Sequence, residues 1–230
     1  MFDRLFGGPE RQLERAFERA SAKISSGPLA DYYARGLPDL KAEVSEVPLL
    51  AIDLETDGLD SSRDMILESG SVALDMGSIQ GGSARRIRFR AERPLNAEAV
   101  VIHSITDDEA ADALPAEEAL ALVLEQCTGR VLVAHFAEIE AGFLDAACRK
   151  RYGAPFVAPF ICTMQLEARW FPRSRARDGL RLGKLRSQYG LPPYRAHDGL
   201  TDALACAEVF LAQLAYAKRE RAPVAELLRS

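Results

Sequence analysis

The chain has 230 residues, 48% of them hydrophobic, with a formal net charge of −5 and a pI near 5.4. That length and apolar content support one sizeable core with a terminal appendage. The acidic balance excludes a protein whose whole surface attracts nucleic acid, though not one with a local basic groove. Cys127, Cys148, Cys162 and Cys206 show neither close-spaced pairing nor metal-site spacing, which reads as reduced thiols in a cytoplasmic protein. The charged N-terminus "MFDRLFGGPERQLERAFERA" is neither a signal peptide nor a membrane span.

Residues 9–25 place Leu13, Phe17, Ala20 and Ile24 near helical spacing, so a short amphipathic helix is expected. The mixture of Gly, Pro and charge that follows reads as a connector, bounding an N-terminal extension at residues 1–46. From Val47 the texture changes. "VPLLAIDLE" is a continuous apolar strand, "MILESGSVALD" a second, and "ARRIRFRAE" a third with strict alternation. In that third strand Ile87, Phe89 and Ala91 would face in and Arg86, Arg88 and Arg90 out. The short gaps between the three predict an antiparallel meander. "PAEEALALVLEQC" then reads as a helix, "GRVLVAH" as a buried strand, and "AEIEAGFLDAACRKRYG" as a helix with a glycine stop. "PFICT" suggests a last strand, followed by helical "MQLEARWF" and "GLRLGKLRSQYG". "GLTDALACAEVFLAQLAYAKRE" closes the main domain, residues 47–217, with a long helix, leaving a tail at 218–230. Strands first, then strands alternating with helices, make an α/β fold: a mixed sheet flanked by helices.

Within "AIDLETDGLD", Asp53 and Glu55 are two apart on a strand and share a face, about 6.6–7 Å apart along the backbone. Leu50, Ile52 and Leu54 take the other face. The pair is either a solvated strand end or a site for a hard divalent cation with oxygen ligands, Mg²⁺ or Mn²⁺. Further along, Glu140 lies beside the apolar stripe of Ile139, Phe143 and Ala146. His197 and Asp202 are five apart, the histidine in a loop and the aspartate in the first turn of the last long helix. A helix N-terminus favours an acid there on its own account.

The ordered set "IDLETDGL", "VLVAHFAEIEAGFLDAA" and "HDGLTDALACAEVFL" resembles the three motifs of the DEDD (DnaQ-like) 3′–5′ exonucleases. Within that superfamily it is similar to the histidine-containing branch, which includes the proofreading epsilon subunit of bacterial DNA polymerase III. The resemblance covers residues 47–217 and implies a ribonuclease H-like fold, an antiparallel meander followed by parallel strands. Carried over by motif position, Asp53, Glu55, Glu140 and Asp202 would hold two divalent ions, Mg²⁺ or Mn²⁺, and His197 would be the general base. Four carboxylates and a phosphodiester are close to balanced by two such ions. Glu140 stands where the family usually has aspartate, Phe136 where an asparagine commonly follows the histidine, and Asp57 where threonine is frequent. The same resemblance implicates Thr56, Gly58, Leu59 and His103 in holding the terminal nucleotide, and Phe136 could stack on a base.

The implied activity is release of nucleoside monophosphates from single-stranded 3′ ends, DNA favoured, with RNA or short oligonucleotides as the alternative. A non-catalytic adaptor is a third reading, with the N-terminal extension as the surface for a polymerase or other partner. Basic residues concentrate at Arg169, Arg173, Arg175, Arg177, Arg181, Lys184 and Arg186. They would either guide a phosphate backbone or form a solvated helix face. Low aromatic content and net negative charge predict weak, distributive binding to bare strands, and no membrane partner is expected.

Overall fold

The computed structural model describes residues 8–95, 109, 111–172 and 179–228. Its centre is a five-stranded sheet in the order β3-β2-β1-β4-β5. The strands are β1 Leu49–Thr56, β2 Ile66–Leu74, β3 Arg85–Arg88, β4 Val131–Ala134 and β5 Phe160–Cys162. β1, β2 and β3 form the antiparallel meander, while β4 and β5 add in parallel beside β1. The helices described are α1 Pro9–Ser21, α2 Pro28–Ala34, α3 Ala116–Cys127, α4 Glu138–Tyr152, α5 Thr163–Trp170, α6 Leu182–Gln188, α7 Gly199–Ala217 and α8 Val224–Leu227. The α/β expectation holds.

Both faces of the sheet are covered, and β1 shows how. Leu50, Ile52 and Leu54 enter one core with Phe17 of α1, Tyr33 of α2, Leu124 of α3 and Phe143 of α4. Leu49 and Ala51 enter a second core with Leu166 of α5, Phe210 and Leu214 of α7 and Val224 of α8. Side chains alternate along a strand, so Asp53 and Glu55 continue the Leu49–Ala51 series onto the face beneath α7. That helix is long and apolar enough to resemble a membrane span. Its apolar character is spent in the core, where Ala203, Cys206, Ala207, Phe210 and Leu214 are fully buried. All four cysteines are free and buried.

The segment read as a connector carries α2, whose Leu29, Tyr32 and Tyr33 join the first core. The Tyr33 hydroxyl donates to the Pro155 carbonyl (2.6 Å), and the Tyr32 hydroxyl donates to the Val157 carbonyl (2.9 Å). Seven residues between Gly and Pro punctuation are too few to display a helical period, which is why the pattern gave no sign of it. The tail also packs in: Val224 and Ala225 donate N–H bonds to the carbonyls of Ala42 (3.1 Å) and Leu40 (2.8 Å).

β3 is shorter than its alternation predicts. Phe89 still donates to the Leu67 carbonyl (2.9 Å), but Arg90 turns away to the Leu114 carbonyl (2.7 Å). Ile87 and Phe89 are buried as expected. Arg86 and Arg88 take the opposite, more exposed face as expected, but they are not free there: they pair with Asp198 and Glu68 beside the start of α7. A strand pattern separates two faces but does not say which of them another element covers.

Candidate active site

The site begins with a missing side chain. In register, Asp53 and Glu55 of β1 sit beside Gly70 and Glu68 of β2. A Cβ at Gly70 would lie 2.0 Å from the carbonyl carbon of Gly199, so the start of α7 rests directly on the strand backbone. Asp202, in the first turn of that helix, is thereby lowered onto the β1 carboxylates. One oxygen from each of Asp53, Glu55 and Asp202 lies within 4.8 Å of the others.

The loop leading into α7 is fixed by polar contacts. Asp198 caps the helix, accepting from the Thr201 N–H (3.0 Å) and hydroxyl (2.7 Å), a standard way to satisfy an orphan donor. Arg86 Nη2 donates to both Asp198 oxygens, at 2.7 and 2.6 Å, tying the cap to β3. Asp202 Oδ2 accepts the N–H groups of His197 (2.6 Å) and Asp198 (3.1 Å), and its Oδ1 accepts the Tyr194 hydroxyl (2.6 Å). His197 has φ +64°, a conformation uncommon outside glycine, and that turn aims its N–H at Asp202. Its side chain is exposed on the same cleft.

Negative charge is concentrated here. Burial above all, then the charges of Glu140, Asp202, Glu55 and Glu68, hold the Asp53 carboxyl well above its ordinary range. Burial followed by Asp202, Glu68 and Asp198 pushes Glu55 up to about 7. These are the two effects that disfavour an ionised acid. Glu68 is relieved by Arg88 Nε at 3.0 Å and Arg86 Nη1 at 3.8 Å. An oxygen-only donor set, buried at Glu55 and Asp202 and half-buried at Asp53, under mutual repulsion suits a hard divalent cation, so the residues fit the metal that the motifs imply. Glu140, buried in the first turn of α4, is near enough to act on Asp53 but does not join the 4.8 Å group. Burial and Asp202 also raise the Tyr194 hydroxyl well above its ordinary range, keeping it a donor.

A cleft of about 630 Å³ opens on the three acids, walled by His135, Arg181, Lys184, Tyr194 and His197 among others. Burial lowers His135 to about 4, leaving the ring neutral at working pH, with Nδ1 2.8 Å from the Thr163 hydroxyl. Of the proposed nucleotide contacts, Thr56, Gly58, Leu59 and Phe136 are not among the wall residues; they follow the wall residues Glu55 and His135 in sequence. The Thr56 hydroxyl donates to the Gly58 carbonyl (2.6 Å), ordering the turn. Leu59 is 81% and Phe136 45% exposed, the latter at φ +72°. His103 lies outside the described residues.

The basic run divides. Arg181 and Lys184 line the cleft. Arg186 is buried, bound to Glu208 and to the Pro192 carbonyl (2.9 Å), and Arg169 donates to the Glu226 carbonyl (2.9 Å). Those two are therefore structural. Arg173, Arg175 and Arg177 lie outside the described residues. Gly70, Tyr194, His135 and the Arg86–Asp198 pair escaped the reading of the sequence. A glycine inside a strand signals a close backbone approach, so Gly70 alone had a visible cue.

Comparison with known proteins identifies the family and the fold. The RNase T exonuclease family model matches residues 50–210. The DNA polymerase III subunit epsilon of Treponema pallidum (strain Nichols) is 31% identical over 173 residues, 74% of this chain and 78% of that protein. Among solved structures, exonuclease X in complex with 5′ overhanging duplex DNA gives a TM-score of 0.62 at 24% identity, covering 78% of this chain and 98% of that one. The nuclease domain of 3′hExo, a DEDDh family member, bound to rAMP, gives 0.65 at 17% identity, covering 81% and 98%. The shared fold is the ribonuclease H-like one. Since the family match spans Asp53, Glu55, Glu140 and Asp202, the first, second and last of which the fold gathers within 4.8 Å, the chain belongs to the RNase T exonuclease family, of the DnaQ-like DEDD type.

Proposed function

We propose that the protein is a metal-dependent 3′–5′ exonuclease that releases nucleoside monophosphates from single-stranded ends, acting on DNA in proofreading or repair. The observation that carries this reading is the gathering of Asp53, Glu55 and Asp202 within 4.8 Å in a cleft that also presents His197. Those three acids, with Glu140 near Asp53, would hold Mg²⁺ or Mn²⁺. Divalent ions bound by these residues would supply charge to polarise the scissile phosphodiester and to make a nearby water more acidic. His197, exposed on the cleft wall, takes the proton from the attacking water. Arg181 and Lys184, which share the cleft with the acids, meet the phosphate backbone. Thr56, Gly58, Leu59, His103 and Phe136 are assigned to the terminal nucleotide.

The DNA assignment draws on the epsilon relative, which is a polymerase subunit by name. A polymerase partner is proposed on the same ground, with residues 1–46 as the docking extension of the main domain. The buried free thiols suit a reducing cytoplasm. The neighbour bound to rAMP favours a second reading, an exonuclease of RNA or short oligonucleotides.

One oligonucleotide labelled separately at each end, digested with Mn²⁺ and with chelator, tests polarity, metal need and catalysis together. Matched DNA and RNA strands separate the two substrates. Stable label at both ends in Mn²⁺ would refute the assignment.

A further inference from the structure

Asp202 is held by three hydrogen bonds from its own surroundings. A carboxylate offers two acceptor directions on each oxygen. Both on Oδ2 are taken, by the His197 and Asp198 N–H groups at 2.6 and 3.1 Å. One on Oδ1 is taken by the Tyr194 hydroxyl at 2.6 Å. A single direction on Oδ1 is left.

The tyrosine that makes this contact is itself braced. Arg186 of α6 lies over its ring, with the guanidinium carbon 4.8 Å from the centroid. Arg186 is buried, paired with Glu208 of α7 and donating to the Pro192 carbonyl at 2.9 Å. Arg186 therefore joins α6, α7 and the loop through Pro192 behind the Tyr194 ring. The same loop carries His197. Tyr194 and the His197 N–H grip opposite oxygens of one carboxylate, so the plane of Asp202 and the seat of the His197 loop are set together.

We infer that Tyr194 is a positioning residue of the metal site: its hydroxyl orients Asp202 so that one Oδ1 direction is offered to a divalent cation. This rests on the reading of the acidic cluster as a metal site. Groups that orient a ligand from behind change metal affinity by about 10–100-fold when removed. The hydroxyl's contact is with Asp202, so in this role Tyr194 acts on the cation and on the His197 loop.

The test is Tyr194→Phe, which keeps the ring under Arg186 and deletes only the hydroxyl. Calorimetric titration of the folded, chelator-stripped protein with Mn²⁺ should show affinity at least about tenfold below the parent. Nuclease turnover should fall at limiting Mn²⁺ and recover largely at saturation. Tyr194→His, which retains a ring N–H donor, should regain part of the affinity. Should Tyr194→Phe unfold at the titration temperature, Tyr194→His decides alone, and Mn²⁺ affinity that is partly retained, below the parent's, is then the supporting result. A folded Tyr194→Phe that binds Mn²⁺ like the parent, or a folded Tyr194→His that does so without the phenol hydroxyl, overturns the inference and leaves the metal site standing. A parent that takes up no Mn²⁺ overturns the metal site and the inference with it.

Discussion

Gly70 on β2 and Gly199 at the head of α7 meet backbone to backbone, with room for no methyl group: a Cβ on Gly70 would fall 2.0 Å from the Gly199 carbonyl carbon. The contact sets the height of α7 above the sheet, and so the distance from Asp202 to Asp53. Gly70→Ala must push the helix away, because backbone atoms on both sides cannot yield. Overpacking of this kind costs about 1–3 kcal/mol or more, and a catalytic group displaced by about 1 Å can lose on the order of 10² in rate. Gly70→Ala should therefore lower both the melting temperature and Mn²⁺-dependent hydrolysis. A variant with the parent's rate would show that α7 is positioned by something else.

Glu55 predicts an unusual pH dependence of the metal-free protein. Its carboxyl titrates at about 7 in the folded state against an ordinary 4.5, chiefly through burial. Between those values the unfolded chain has released the proton and the folded one still holds it, so stability falls as pH rises across the window. The penalty is absent below about pH 4.5 and complete above about pH 7. Asp53, raised for the same reasons, adds to it. In chelator near pH 8, Glu55→Gln should be more stable than the parent, by up to about 3 kcal/mol, with the advantage shrinking toward pH 4.5. Mn²⁺ should reverse the order, since only the parent keeps the full donor set. Thermal unfolding at three pH values, with and without Mn²⁺, measures this directly.

His197 and Glu140 should separate chemistry from metal binding. His197→Ala leaves the three clustered carboxylates untouched, so Mn²⁺ uptake should persist while kcat drops on the order of 10²–10⁴-fold. Glu140→Gln removes an acid that lies outside the tight group. It should spare the strongest Mn²⁺ site and weaken or abolish a second binding event. Loss of all Mn²⁺ binding in Glu140→Gln would place that carboxylate in the primary site instead.

Lys184 is an exposed cation on the cleft wall. Lys184→Ala should raise KM for an oligonucleotide several-fold, with kcat little changed, and make KM less sensitive to salt, by about one unit in the log–log slope. Identical salt dependence in the two proteins would remove Lys184 from the substrate path.

Much of the site was legible before any folding. A period of two puts Asp53 and Glu55 on one strand face, and the start of an apolar helix puts Asp202 in its first turn; both are local consequences of backbone geometry. The order of strands and helices followed from the same periodicities, as did the glycine stop of α4, where Gly153 has φ +70°. Other features had no local signature. α2 is too short to show a period, and only its burial against the core reveals its role. Arg186 looked like part of a cationic surface and is a buried brace.

What the chain alone determined is therefore which residues share a face and which chemistry those faces carry: acids at a strand end, an acid and a histidine at a helix entrance. Only the tertiary structure decided that these faces meet. The bare backbone of Gly70 admits α7, Arg86 reaches 112 residues along the chain to hold Asp198, and Tyr194 grips Asp202. Such contacts depend on how whole elements pack, with long-range distances that no sequence spacing encodes, whereas period and turn chemistry act over a few bonds.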